Sequence, residues 1–232
     1  MASQNKRVLI TPTFRMSYAK LVKPAPFIEN GKPKGDPVYS TQAIILNDDM
    51  ASFHDWDADK GEFHDVELAR VCASLAKAEW PEMSVKEAVA HGGLNWPIQN
   101  GDALAESLGE KGKHYAGARV IRMKANQEYP PKLYFKEGSG RKQIARGTSN
   151  GEAQATQYFY SGAYAFAEIT VQAGTAGQNK YVTCYVNAVH FVKHGDRLGG
   201  ASLMDRFDGI HGGESNYDPT GGGADLDDEI PY

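Results

Sequence analysis

The chain has 232 residues, 41% of them apolar and 23% charged, and a formal net charge of -4. This is long enough for one domain with a good core, and no run approaches the roughly eighteen apolar residues that a membrane span requires. Cys72 and Cys184 are the only cysteines, with no CxxC pair and no leading apolar segment, which implies a reducing compartment in which both thiols are structural.

The net charge hides a sorting along the chain. Residues 1–47 are net +5, residues 48–110 net -10, residues 111–146 net +8, residues 147–206 balanced and the segment from 207 net -7. A polyanion responds to local potential more than to net charge, so nucleic acid is a candidate partner for the two basic segments.

In chain order, β-branched and aromatic residues predict a strand within 7–22 and another over 38–46, around Ala43-Ile44-Ile45-Leu46. Arg15, Tyr18, Lys20, Lys23, Lys32 and Lys34 mix cations with a ring here, and the intervening Pro and Gly residues imply a long loop after the first strand. Val66, Ala69, Ala73, Ala76 and Trp80 recur at helical spacing until Pro81 ends the helix. Ser84-Val85-Lys86-Glu87 has the form of a capping box for a short second helix, stopped by Gly92-Gly93, and a third helix is predicted over 102–108.

Further strands are expected at 115–124 and 132–136, followed by Lys136-Glu137-Gly138-Ser139-Gly140-Arg141-Lys142 as a mobile basic loop. Next, Ala163, Ala165, Ala167, Ile169 and Val171 alternate with outward rings at Tyr158, Tyr160, Tyr164 and Phe166. Finally, Val182, Cys184, Val186, Ala188 and Val192 alternate with Tyr181, Thr183, Tyr185 and Asn187, and His190 shares the inward face of Cys184 as a core residue. About five strands with inserted helices predict a mainly β fold, an OB-fold-like antiparallel barrel.

Residues 111–146 interleave Lys111, Lys113, Arg119, Arg122, Lys124, Lys132, Lys136, Arg141, Lys142 and Arg146 with Tyr115, Tyr129, Tyr134 and Phe135. Cations can follow phosphates while rings stack on bases of any identity, a combination suited to single strands. Tyr158, Tyr160 and Tyr164 extend this candidate surface, as do the N-terminal cations and Tyr18. The bland alternative is that the cations solvate one face while Tyr134 and Phe135 fill the core.

Enzyme signatures are weak. Asp55-Trp56-Asp57-Ala58-Asp59-Lys60-Gly61 opens like a calcium loop, but Lys60 stands where Gly is needed and Val66 where a bidentate Glu belongs. His54, His64, Asp55 and Asp65 leave a metal-dependent nuclease as a distant alternative. Gly221-Gly222-Gly223 lacks the Lys of a phosphate loop, and neither a nucleophile triad nor a cofactor motif is recognisable.

From residue 209 to 223, Gly and polar residues form a predicted flexible leash for the tip Asp225-Leu226-Asp227-Asp228-Glu229-Ile230-Pro231-Tyr232. The expected organisation is therefore a body over 1–206 and a linker with an acidic tail over 207–232. An apolar-aromatic end suits a peptide ligand better than a solubilising tail, and its acids could also occupy the chain's own basic surface.

Met16-Ser17-Tyr18-Ala19-Lys20-Leu21-Val22-Lys23-Pro24, Pro37-Val38-Tyr39-Ser40, Gly101-Asp102, Tyr160-Ser161-Gly162-Ala163-Tyr164 and Gly195-Asp196-Arg197-Leu198-Gly199-Gly200 resemble the bacteriophage single-stranded DNA-binding proteins of the OB-fold type. Asp227-Asp228-Glu229-Ile230-Pro231-Tyr232 is similar to the Asp-Asp-Asp-Ile-Pro-Phe tip of bacterial single-stranded DNA-binding proteins, with Tyr in place of Phe. The resemblance implies a non-enzymatic protein, without cofactor, that coats exposed strands during phage replication, recombination and repair in the cytoplasm of the infected bacterial host. It implies that Asp225 and the residues from Asp227 to Tyr232 recruit replication or recombination proteins. A strand-annealing recombination mediator and a tail-bearing adaptor are the alternatives.

Overall fold

The computed structural model describes residues 5–29, 32–57 and 60–198. These lie within the compact unit Met1–Gly199, while the second unit, Gly200–Tyr232, with the predicted linker, acidic tip and domain boundary, lies outside the described residues. The strands are β1 Lys6–Ile10, β2 Phe14–Glu29, β3 Lys32–Leu46, β4 Phe53–Asp57, β5 Glu62–Val66, β6 Ile98–Asn100, β7 Ala118–Asn126, β8 Lys132–Glu137, β9 Gly140–Gln143, β10 Tyr164–Ala176 and β11 Asn179–Lys193. The helices are α1 Leu68–Glu79, α2 Val85–Ala90, α3 Gly101–Leu108 and α4 Ser149–Tyr158, with 3₁₀ segments at Asn47–Ala51 and Gly109–Tyr115. The fold is thus mainly β with several helices.

The antiparallel β10–β11 hairpin is the spine. The start of β10 pairs with β2 and its middle with β1, while β11 takes β7 and β8 as parallel neighbours. Because β2–β3 and β3–β7 are antiparallel pairs, hydrogen bonding traces a circuit through β10, β2, β3, β7, β11 and back to β10. A second path, β5–β4–β1–β10–β11–β8–β9, has β5 and β9 at its two ends.

Alternation on β10 explains the core. Ala165, Ala167, Ile169, Val171 and Ala173 point inward and are almost wholly buried, small enough for α1 to bring Leu68, Val71, Cys72, Leu75 and Ala76 against the sheet. Pro81 lies just past the end of α1, where Trp80 closes the last turn by donating to the Ala76 carbonyl.

Several elements depart from the sequence expectation. The predicted strand over 7–22 is split at Thr11–Thr13, where the Thr11 hydroxyl accepts the Ala167 amide at 2.9 Å. The long loop is instead an irregular hairpin, β2 against β3, that closes at Glu29–Lys32. Val66 belongs to β5 and α1 begins at Leu68, while Ser84 caps α2 by position alone, without the side-chain bond of a capping box. The basic loop is a tight turn between β8 and β9, with Gly138 at φ 60° and Glu137 opposite Gly140. Tyr158 ends α4, whose Thr148 hydroxyl accepts the Gly151 amide at 3.0 Å, so the row of outward rings on β10 begins only at Tyr164.

On β11 the alternation breaks at a bulge. Glu168 pairs with Ala188 but Ile169 pairs with Val186, leaving Asn187 as the extra residue. Beyond it the faces exchange: Val189 is buried, Val192 is 44% exposed, and His190 turns outward to stack on Phe166 at 4.8 Å and 6°. His190 is therefore not on the inward face of Cys184.

Candidate nucleic-acid interface

Register across four strands assembles one surface row, in which Lys124 is exposed and Lys20, Ser40 and Tyr185 are half-buried. Lys20 on β2 lies opposite Ser40 on β3, Ser40 opposite Lys124 on β7, and Lys124 opposite Tyr185 on β11. Two residues along β3 and β7, Gln42 lies opposite Arg122 on one side and the buried Ser17 on the other. The Lys124 ammonium sits 5.8 Å from the Tyr185 ring centroid, and its pKa is lowered by burial and then by neighbouring Arg122. Arg122 is anchored by donating to the Trp96 carbonyl at 2.7 Å.

Between Ser17 and Lys20 the β2 register slips by one residue, and Tyr18 there takes a left-handed φ of 47° with 57% of its surface exposed. At the other end of the row a groove of about 360 Å³ opens between Lys6, Asn126, Tyr129, Thr170, Gln172, Tyr185 and Asn187. Tyr129 is 72% exposed. Here Lys6, Lys20 and Lys124 offer phosphate contacts, Tyr18, Tyr129 and Tyr185 offer stacking faces, and the side-chain amides offer donors and acceptors without a fixed base pattern.

Other residues singled out in the sequence have different surroundings. Tyr115 is buried, its hydroxyl sharing a 2.7 Å hydrogen bond with Ser17, and Phe135 is buried and stacked on Tyr158 at 4.8 Å. Both rings belong to the core and present no face to a base, which corrects their assignment as binding residues. Tyr158 is half-buried under Phe191 and His194. Tyr160 donates to the Gly195 carbonyl at 2.9 Å and is covered by Arg197 at 4.3 Å, while Tyr164 has Lys193 at 4.7 Å and Arg15 at 5.9 Å.

Arg15 also donates to the Gly162 and Asp196 carbonyls, so it holds the chain together. Lys23, Lys113 and Lys142 pair with Glu152, Glu110 and Glu137. Arg119 is half-buried opposite Asn100, and Lys32 is exposed near the β2–β3 turn; the Lys34 side chain lies outside the described residues. Lys132, Tyr134, Lys136 and Arg141 lie on a separate basic hairpin, of which Tyr134 and Arg141 line a smaller cavity of about 200 Å³ with Phe166 and His190.

Asp55, Asp57, His54, His64 and Asp65 sit on the β4–β5 hairpin, extended backbone unlike a calcium loop. Buried Asp55 pairs with Arg7, and His54 meets Asp65 at 2.7 Å; among the described residues no group of three or more His, Cys, Asp or Glu is arranged to hold a metal ion. Cys72 and Cys184 are buried neighbours, and the hydrogen bond between them, followed by burial, holds the Cys72 thiol well above its ordinary pKa.

Tyr185, Lys6 and Trp96 are not among the sequence candidates, whereas Tyr129 is one of the rings of the basic segment. Tyr185 stood on the polar side of an alternating strand and Tyr129 within the basic segment, but only cross-strand register brings them to Lys124.

These features define a mainly β protein whose exposed face joins cations to aromatic rings. The chain belongs to the family described as Enterobacter phage Enc34, ssDNA-binding protein, whose model matches residues 7–217. The single-stranded DNA-binding protein of bacteriophage Enc34, solved in complex with ssDNA, has 15% identity and a TM-score of 0.57, over 86% of this chain and 96% of that one. Its C-terminal truncation has 16% identity and a TM-score of 0.57, over 85% and 94%. At these identities the likeness is one of fold. No curated protein matches the chain.

Proposed function

We propose that this chain binds single-stranded DNA without base preference and coats strands exposed during phage DNA replication, recombination and repair. The observation that carries this reading is the row Lys20–Ser40–Lys124–Tyr185, which places cations and a ring on one face of adjacent strands. Phosphates would follow Lys6, Lys20, Arg122 and Lys124, and bases would stack on Tyr18, Tyr129 and Tyr185. The Enc34 protein solved with ssDNA supports the ligand class.

The circuit of pairings supports an OB-type barrel. With β2, β3, β7, β10 and β11 as strands one to five, neighbours run one, two, three, five, four and back to one. The surface row then crosses strands two and three, the face with which such barrels hold oligonucleotides. Binding of this kind needs positioned charges and rings but no reacting group, so the protein acts without catalysis or cofactor, in the host cytoplasm.

The acidic tip of the segment 207–232 recruits replication or recombination proteins through Asp225 and the residues from Asp227 to Tyr232. The segment's net charge of -7 lets it compete with phosphates for the basic face. Deleting residues 213–232 should therefore raise DNA affinity at low salt, with the gain vanishing as salt rises; unchanged affinity at low salt rejects that competition.

The test is fluorescence anisotropy with a thymidine oligomer and the matching duplex, in EDTA across a salt series. Preference for the single strand, with log affinity falling by about 0.7 per phosphate contact against log salt, is the expected outcome. No binding by either the full chain or the tail deletion overturns the reading.

A further inference from the structure

We propose that copies of this chain join head to tail, the β5 edge of one against the β9 edge of the next. These strands end the path β5–β4–β1–β10–β11–β8–β9. Glu62, Phe63, His64 and Asp65 of β5 are exposed, as is every residue of β9. Among the described residues, each strand has one side whose backbone donors and acceptors are not used within the sheet, the arrangement to which another strand can add.

Charge selects which strand that is. β5 presents Glu62 and Asp65, the latter bonded to His54, whereas β9 presents Arg141 and Lys142, the latter paired with Glu137, with Lys136 beside them on β8. Two β5 edges repel each other and so do two β9 edges, while the unlike edges attract, because opposite charges facing each other across strands stabilise a pair and like charges destabilise it. Phe63 and Trp56, 57% and 51% exposed with ring centroids 5.0 Å apart, add an apolar contact beside the acidic edge.

Because the two surfaces differ, their contact is open-ended and repeats along a line. Edges of five and four residues give a weak contact in free solution. It strengthens when neighbouring copies sit on one strand at high effective concentration. The edge contact itself does not depend on the proposed DNA function, but its consequence, cooperative coating, does.

The test uses three full-length variants: Glu62→Lys with Asp65→Lys, Arg141→Glu with Lys142→Glu, and all four together, each checked for native folding by circular dichroism and melting. Affinity is measured on the shortest thymidine oligomer that binds one copy and on a long thymidine strand, and self-association without DNA by sedimentation at rising concentration. Reversing either edge should lower cooperativity on the long strand about twofold to fivefold and weaken the concentration-dependent sedimentation, while single-copy affinity holds. Reversing both should restore the two behaviours.

The proposal is overturned if a folded single-edge variant behaves as wild type, if the fourfold variant is not restored, or if wild type shows neither behaviour. It is equally overturned if the Arg141, Lys142 variant loses single-copy affinity and the fourfold variant does not recover it, since β9 would then be a DNA contact. If wild type fails to bind DNA at all, the proposed function falls, and sedimentation alone decides the edge contact.

Discussion

Lys124 and Tyr185 are neighbours in the surface row, yet their removal should leave different signatures. Lys124→Gln removes one cation while keeping chain length, so the plot of log affinity against log salt should become shallower by about 0.7. From roughly 50 to 200 mM salt, a slope change of that size shrinks the wild-type advantage about 2.6-fold. Tyr185→Leu keeps an apolar body in a half-buried position but removes the stacking face, costing about 1–3 kcal/mol, or ~5- to 150-fold in affinity, with no change in slope. Because burial and Arg122 already lower the Lys124 pKa, its charge is held at a cost in the free protein, and Lys124→Gln should not lower the melting temperature. Anisotropy titrations with a thymidine oligomer at five salt concentrations separate the two effects. An unchanged slope for Lys124→Gln, with unchanged affinity for Tyr185→Leu, would refute the assignment of this row to the strand.

Phe135→Ala should cost about 3–5 kcal/mol in urea denaturation, because the ring is buried against Tyr158, while the folded fraction retains its DNA affinity. Gly162→Ala should destabilise by at least about 1–3 kcal/mol, since Gly162 has φ 115° and an added Cβ would lie 2.0 Å from the Asp196 carbonyl oxygen. His190 is held below its ordinary pKa of 6.5 mainly by burial, partly offset by its bond to the Phe191 carbonyl and reinforced by Arg141. Between that lowered value and 6.5 the unfolded chain binds more protons, so stability is full above 6.5 and falls as pH drops through this window. His190→Gln should flatten the fall measured by urea melts across pH, leaving the part owed to His114, which burial shifts in the same direction.

Regular periodicity was legible in the sequence and its interruptions were not. The helical spacing ending at Trp80 and Pro81 marks α1, and the small-residue alternation from Ala163 to Val171 marks the buried face of β10. By contrast, Tyr158 and Tyr160 extend that alternation by accident of parity; they stand in α4 and the turn after it, for which Thr148 was the available signal. The bulge at Asn187 reverses every later residue of β11, and nothing local to the sequence distinguishes His190 in from His190 out. The binding row was half legible for the same reason: a basic segment reveals Arg122 and Lys124, but pairing of β7 with β11 is needed to bring Tyr185 beside them.

Three short motifs, far apart in sequence, are fastened into one local structure. The Met16 amide donates to the Ala163 carbonyl and the Gly162 amide to the Met16 carbonyl, each at 2.8 Å, while the Ala19 amide donates to the Ser161 hydroxyl at 3.0 Å. The third motif closes on the second through Leu198, whose amide donates to the Ser161 carbonyl at 2.9 Å, and on β2 through Arg15 and the Asp196 carbonyl. Tyr18 lies inside this knot in a left-handed conformation that costs a residue with a Cβ roughly 1–2 kcal/mol. Bonds on both sides of Tyr18 fix the backbone, so the strained φ persists and its ring stays exposed. A relaxed β2 without the extra residue would shift its pairing with β3 by one position and turn Lys20 away from Ser40 and Lys124. The strain at Tyr18 and the continuity of the cationic row are therefore two consequences of the same bulge.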